Sequence, residues 1–143
     1  LGADGVEILK AREETVVTLA RAIREAVRPE VEVILRTTFS PFFTGGKSAL
    51  RPDAARSTRL PLMFTFFGAN SQSIGAEADS IRKECSEQSI HAGIMACAPD
   101  TNDASQLRER YHALGKGWSG VSFYHYGLMP VANMGWIRSL LES

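Results

Sequence analysis

The runs VEVIL (31–35), LPLMFTF (60–66), IHAGIMA (90–96) and VSFYHY (121–126) recur about every 30 residues along the chain. Each run has the length and apolar content of a buried strand, and amphipathic stretches of helical period lie between the later runs. Strands that alternate with helices at this spacing are typical of βα units and a parallel sheet. The sequence therefore predicts an α/β fold with a parallel βα repeat of about four strands, too few to close a (β/α)8 barrel alone.

A helix is predicted before the first run, beginning at Gly5 with Asp4 as its cap and ending at Pro29. The alternative is a short strand over Gly5–Leu9 and a helix from Lys10. In the single helix Glu13 lies away from the apolar face, and the inward residues are Ile8, Leu9, Val16, Leu19, Ala20, Ile23 and Val27.

Later helices follow from capping residues. Ser73 caps one that extends to about Glu87, and Asp103 caps another over Ala104–Leu114. A closing helix begins near Pro130. The stretch 37–59 is predicted to be an irregular crossover with a short helix around Pro52–Arg56.

Composition limits the classes of function. Sixteen basic and sixteen acidic residues cancel, so no positive field attracts nucleic acid or an anionic membrane surface. The longest apolar stretch, 60–68, is too short to span a bilayer, and no secretory signal is present. Cys85 and Cys97 are predicted to be reduced thiols of a cytoplasmic protein. The sequence has 143 residues and its first residue is Leu1. We expect either a single domain or a half-barrel that is a fragment of a larger barrel.

Candidate site residues follow from topology, because the carboxyl ends of parallel strands share one face. Asp100 follows the third run and could act as a general acid or base, or accept hydrogen bonds from a ligand. The alternative is a capping carboxylate in a loop. The predicted catalytic residues are Asp100 and His125, and the predicted substrate-binding residues are Arg36, Asn70, Tyr124 and Tyr126.

The cluster Tyr124-His125-Tyr126 is the most suggestive local feature. Strand alternation sends the two tyrosines to one face and the histidine to the other. The tyrosines could stack on a sugar, or His125 could exchange protons near neutral pH. The alternative is that these side chains only fill the core. Arg36 is either solvated or ion-paired, or else binds an anion.

Several motifs are missing. The sequence has no Walker loop, no Gly-x-Gly-x-x-Gly after a strand and no Gly-x-Ser-x-Gly elbow. Metal-ligand spacing such as His-Glu-x-x-His is absent as well. Gly115-Lys116-Gly117 precedes a strand instead of following one, and so is not a phosphate cradle. We therefore expect neither a cofactor nor a metal.

The final third resembles the last βα units of uncharacterised bacterial TIM-barrel proteins that look like glycoside hydrolases. The resemblance is most specific at Gly120–Gly127, since in those proteins a Phe-Tyr-x-Tyr-Gly run ends the eighth strand. Further similar segments are Ile90–Ala96, Pro99-Asp100, Leu107–Gly117, Trp136-Ile137 and the helix Arg12–Val27. The resemblance implies that the four strands are the fifth to eighth of a barrel. It also implies that an acid/base residue on the fourth strand would lie outside this chain.

Three functions remain open. The first is the C-terminal half of a carbohydrate-active barrel with a sugar subsite at the strand ends. The second is a non-catalytic half-barrel that self-associates or pairs with a partner chain, because an incomplete barrel exposes edges and an apolar face. The third is a sugar-phosphate enzyme. It is weakened because no lysine ends a strand and no glycine-rich loop follows the later strands.

Overall fold

The computed structural model describes residues 3–38, 48–67, 69–124 and 127–142. They form five helices and five short strands, and the pairings of β1 with β2 and β3, and of β4 with β5, are all parallel. The predicted α/β class with parallel strands is confirmed. In chain order the elements are α1 (Ala3–Ala26), β1 (Leu35–Thr38), β2 (Ser48–Ala49), α2 (Pro52–Ser57), β3 (Leu62–Thr65), α3 (Ser71–Glu84), β4 (Ile90–Met95), α4 (Ala104–Ala113), β5 (Gly120–Tyr124) and α5 (Asn133–Leu141).

The chain divides into two compact units. The first unit comprises Leu1–Phe64 with Glu87–Ser89, and the second comprises Thr65–Ser86 with Ile90–Ser143. In the first unit β1 lies between β2 and β3, with Thr37 beside both Ser48 and Phe64. In the second unit β4 pairs with β5 from His91 beside Gly120 to Met95 beside Tyr124.

A buried carboxylate joins α1 to α2 in the first unit. Glu13 Oε1 accepts a hydrogen bond from the backbone N–H of Arg51 at 2.6 Å, and Oε2 lies 2.8 Å from Arg51 Nη2. Arg51 is the N-cap residue of α2 and makes no side-chain cap of its own. Glu13 therefore satisfies a helix N-terminal N–H from another element. Its hydrogen bond and its charge both raise the pKa of Arg51.

The continuous helix α1 confirms the single-helix prediction, but its predicted inward face is only partly right: Ala20 is buried, and Leu9, Val16 and Val27 are half-buried. Ile8, Leu19 and Ile23 are 69%, 58% and 43% exposed, whereas Glu13, predicted to face away, is buried. Helical periodicity shows which apolar residues share one face of α1. It does not show which face packs against the rest of the unit. Here the ion pair with Arg51 fixes the packed face, and much of the apolar stripe stays uncovered.

The core of the second unit lies between β4 and two helices. Ala92 and Ile94 of β4 are fully buried, as are Ile74 of α3 and Leu107 of α4. Phe66, just after β3, donates its N–H to the Gly93 carbonyl at 2.8 Å, which places Phe66 beside β4 within this unit. Two-sided burial of this kind is typical of parallel strands under helices.

The first strand lies later than predicted. The run Val31–Leu35 was expected to form it, yet β1 begins at Leu35. The segment before β1 is held against the C-terminal end of α1, where Arg24 donates to the carbonyls of Pro29 and Val31 at 3.1 Å each. Backbone acceptors engaged in this way do not join a strand ladder.

The other boundaries agree more closely. The predicted short helix is α2, and Asp103 caps α4 by accepting from the N–H of Gln106 at 2.9 Å. The cap of α3 is Asn70 rather than Ser73, since Asn70 Oδ1 accepts from the Ser73 N–H at 2.9 Å. Strand β2 was not predicted.

Arg59 has a φ of 56°, in the left-handed region that suits glycine. It follows the C-cap residue of α2, Thr58, at the position where glycine is common.

We expect Arg59→Gly to raise the free energy of unfolding by roughly 0.5–1 kcal/mol, because it removes the steric cost of the side chain. Urea denaturation followed by circular dichroism measures the change. The control is Arg56→Gly within α2, expected to lose about 1 kcal/mol. A loss from both variants would contradict the interpretation.

Candidate functional site

The buried guanidinium of Arg110 lies at the carboxyl ends of β3 and β4, within the second unit. Its Nη2 donates to the Phe66 carbonyl at 2.9 Å, and its Nη1 donates to the carbonyls of Ala69 and of Asp100, the latter at 3.2 Å. Nη2 also lies 3.6 Å from Asp100 Oδ2. One side chain therefore ties the loop after β3 to the loop after β4.

Burial and charge act on Arg110 in opposite directions. Burial lowers the pKa of Arg110, because the charged form loses hydration, and the carboxylate of Asp100 raises it. Arginine stays protonated at any physiological pH. A buried cation of this kind is tolerated when most of its N–H groups have acceptors. Here three carbonyls accept hydrogen bonds from Nη1 and Nη2, and the Asp100 carboxylate balances the charge, whereas Nε has no acceptor among the described residues.

The loop that carries Asp100 is held by two further side chains. Thr101 is fully buried, and its Oγ1 donates to the Met95 carbonyl at 2.6 Å. Asn133, at the start of α5, donates from Nδ2 to the Ala96 carbonyl at 2.8 Å. With Arg110, these contacts fix the backbone on both sides of Asp100.

An open pocket of 410 Å³ lies over this cluster in the second unit. Asn70 Oδ1 is used by the cap of α3, and Gln106 Oε1 accepts from the backbone and side chain of Asn102 at 2.9 and 3.3 Å. The amide groups are thus oriented by intramolecular bonds. We name this the polar pocket; it is lined by Ala69, Asn70, Ser71, Pro99, Asp100, Asn102, Gln106, Glu109 and Arg110.

The structure brings together two of the predicted site residues, Asn70 and Asp100, which both line the polar pocket. Tyr124 belongs to the same unit but packs edge-on against Phe67, with ring centroids 5.2 Å apart. Its ring lies beside Gly93, where an added Cβ would be 3.0 Å from Tyr124 Cε2. The Tyr124 ring is therefore held by packing against Phe67 and Gly93.

The remaining predicted residues lie elsewhere. Arg36 is half-buried within β1 of the first unit, although it was expected to follow the strand. His125 and Tyr126 lie outside the described residues, and their roles stay predictions.

The sequence did not single out Arg110, Gln106 or Glu109, whereas Asn102 follows the third predicted strand and so lies where a site was expected. A signal was present, because Arg110 lies three residues after Leu107 and four before Leu114, on the apolar face of α4. A charged residue on an apolar helix face indicates a buried partner. The partners themselves are backbone carbonyls, which a sequence does not single out.

The described residues contain neither a membrane-spanning helix nor a metal-binding cluster. No helix there is both long and apolar enough to cross a bilayer. No group of three or more His, Cys, Asp or Glu side chains there is arranged to hold a metal ion.

Comparison with known proteins gave no relative: no protein-family model, no curated protein and no solved structure matches this chain.

Arg110→Met should lower the free energy of unfolding by about 3–5 kcal/mol, because three carbonyls and the Asp100 carboxylate lose their donor in a buried setting. Thermal or urea unfolding measures this. Arg108→Met, at an exposed position of the same helix, is the matched control and should change stability by no more than about 0.5 kcal/mol. Equal small losses from both variants would show that Arg110 does not hold the two loops together.

Proposed function

We propose that the polar pocket binds a neutral sugar and is one subsite of a carbohydrate-active barrel, to which this chain contributes the C-terminal strands. The observation that carries the proposal is the pocket's lining: amides and carboxylates at the carboxyl ends of β3 and β4, held around Arg110. The resemblance of Gly120–Gly127 to glycoside-hydrolase-like barrels supports the same class, as an analogy of fold.

The lining suits a ligand rich in hydroxyl groups. Side-chain amides both donate and accept hydrogen bonds, and carboxylates accept them, which matches the donor and acceptor capacity of sugar hydroxyls. Asp100 is held beside Arg110, with its side chain 11% exposed, so its oxygens offer an acceptor in a fixed place.

The charge of the pocket argues against an anionic ligand. Asp100 and Glu109 line it, and Arg110 is the one cation of the lining. The guanidinium is already engaged with three carbonyls, so it offers little to a phosphate or carboxylate. A neutral sugar fits this balance better than a sugar phosphate.

Catalysis by Asp100 and His125 stays a prediction. Glycoside hydrolysis requires two carboxyl groups about 5–10 Å apart. Glu109 is a second carboxylate of the same pocket, which makes it a further residue to test.

Nuclear magnetic resonance titration with methyl glucoside, galactoside and mannoside tests the sugar subsite. At least one glycoside should shift the side-chain amide signals of Asn70 and Gln106 in a saturable manner, whereas glucuronate should bind more weakly. Glu109→Gln should weaken binding about two- to tenfold, because the neutral amide oxygen accepts a weaker hydrogen bond from a sugar hydroxyl than the carboxylate does.

The matched control is Glu142→Gln, which removes an exposed carboxylate at the C-cap of α5 that pairs with Arg138 at the surface. It should leave the titration unchanged. The proposal fails if none of the three glycosides shifts the pocket amides, or if both variants weaken binding equally.

Assembly with a second copy of this chain is the second candidate. The observation that favours it is the uncovered apolar stripe of α1, formed by Ile8, Leu19 and Ile23. Exposed apolar side chains along one face of a helix are a feature of interaction surfaces in soluble proteins.

Light scattering at several concentrations tests this candidate. The unmodified chain should form a dimer, and the double variant Ile8→Gln with Leu19→Gln should shift it to the monomer. Glu14→Gln, an exposed polar change on the same helix, should not. A monomeric mass for the unmodified chain at every concentration would exclude assembly through α1.

A further inference from the structure

A second pocket of 520 Å³ lies where α4 ends and β5 begins, also within the second unit. It shares no lining residue with the polar pocket. We name it the aromatic pocket; it is lined by Tyr111, His112, Leu114, Gly115, Lys116, Gly117, Trp118 and Val121. Its volume lies in the range of small-molecule sites.

Two aromatic rings of this pocket are held in place by neighbours. Trp118 Nε1 donates to the Leu114 carbonyl at 2.9 Å, and the indole meets Phe66 edge-on at 5.7 Å between centroids. Tyr111 stacks on Phe123, with 6.4 Å between centroids and 21° between the ring planes. Rings fixed before binding present apolar surface at a low entropic cost.

The loop between these rings is supported by α3. Arg82 donates from Nη1 to the Leu114 carbonyl, and an added Cβ on Gly115 would lie 3.2 Å from Arg82 Nη2. Gly115 has a φ of 67°, which favours glycine there. Arg82 and the Trp118 indole N–H both donate hydrogen bonds to the Leu114 carbonyl. These donors partly neutralise the negative end of the α4 helix dipole.

The lining of the aromatic pocket is basic. Lys116 and His112 are exposed at its edge, and none of the lining residues is Asp or Glu. The surroundings thus combine fixed aromatic rings, apolar Leu114 and Val121, and a cation. From this combination we infer that the aromatic pocket binds a small planar aromatic ligand that carries an acidic group, with the ring against Trp118 or Tyr111 and the acid near Lys116.

The inference is independent of sugar binding at the polar pocket. It also predicts the opposite charge preference: the aromatic pocket selects an anion, whereas the polar pocket selects a neutral ligand.

Nuclear magnetic resonance titration of the full chain with 2-naphthoate tests this site, and 2-naphthamide is the neutral comparison. We expect 2-naphthoate to shift the indole N–H signal of Trp118 and the backbone amides of Gly115 and Gly117 along one saturable curve. The neutral amide should bind about two- to fivefold more weakly, the range expected for an exposed ion pair.

Lys116→Gln should weaken binding of 2-naphthoate by the same factor and leave 2-naphthamide unchanged. Lys83→Gln, at an exposed position of α3 outside the lining, is the matched control and should alter neither affinity. The inference is overturned if Trp118 shows no saturable shift, if both probes bind equally to the unmodified chain, or if the two lysine variants behave alike toward 2-naphthoate.

Discussion

Arg110 is the contact on which the second unit depends. Its guanidinium joins the carbonyls of Phe66 and Ala69, after β3, to the carbonyl and carboxylate of Asp100, after β4. Besides the backbone hydrogen bond from Phe66 to Gly93, side chains hold these loops, since Arg110, Thr101 and Asn133 all donate to main-chain carbonyls there. A planar group with five donors in fixed directions can satisfy several acceptors at once, and lysine cannot reproduce that geometry.

Helix α4 carries two surfaces of different chemistry around this contact. Gln106 and Glu109 contribute to the polar pocket, whereas Tyr111 and His112 contribute to the aromatic pocket. Arg110 lies between them along the helix and is buried. A shift of α4 along its axis would therefore change both pockets, and the cost of leaving a buried guanidinium without acceptors opposes that shift.

The extent to which sequence predicted this arrangement depends on how local each interaction is. The Asp103 cap depends on residues three apart in the chain, and the buried Leu107 follows from helical period, so both were predictable. The packed face of α1 was not, because it depends on Glu13 reaching Arg51, 38 residues away. The composition of Val31–Leu35 is typical of a strand, but only Leu35 joins β1, and Arg24 donates to the Val31 carbonyl.

The same distinction between local and long-range interactions applies to the polar pocket. Parallel topology placed Asn70 and Asp100 at one end of the strands, and both line the polar pocket. The residue that positions them was missed, because its acceptors are main-chain carbonyls that every residue possesses. Arginine on the apolar stripe between Leu107 and Leu114 was the available signal.

The most direct test of Arg110 as the organising contact is nuclear magnetic resonance of its guanidinium protons at low temperature. If the three carbonyls hold it, the Arg110 Nη–H signals will be separate, protected from exchange with water, and coupled through hydrogen bonds to the carbonyl carbons of Phe66 and Asp100. A single averaged Nη–H signal that exchanges as fast as that of exposed Arg108 would contradict it.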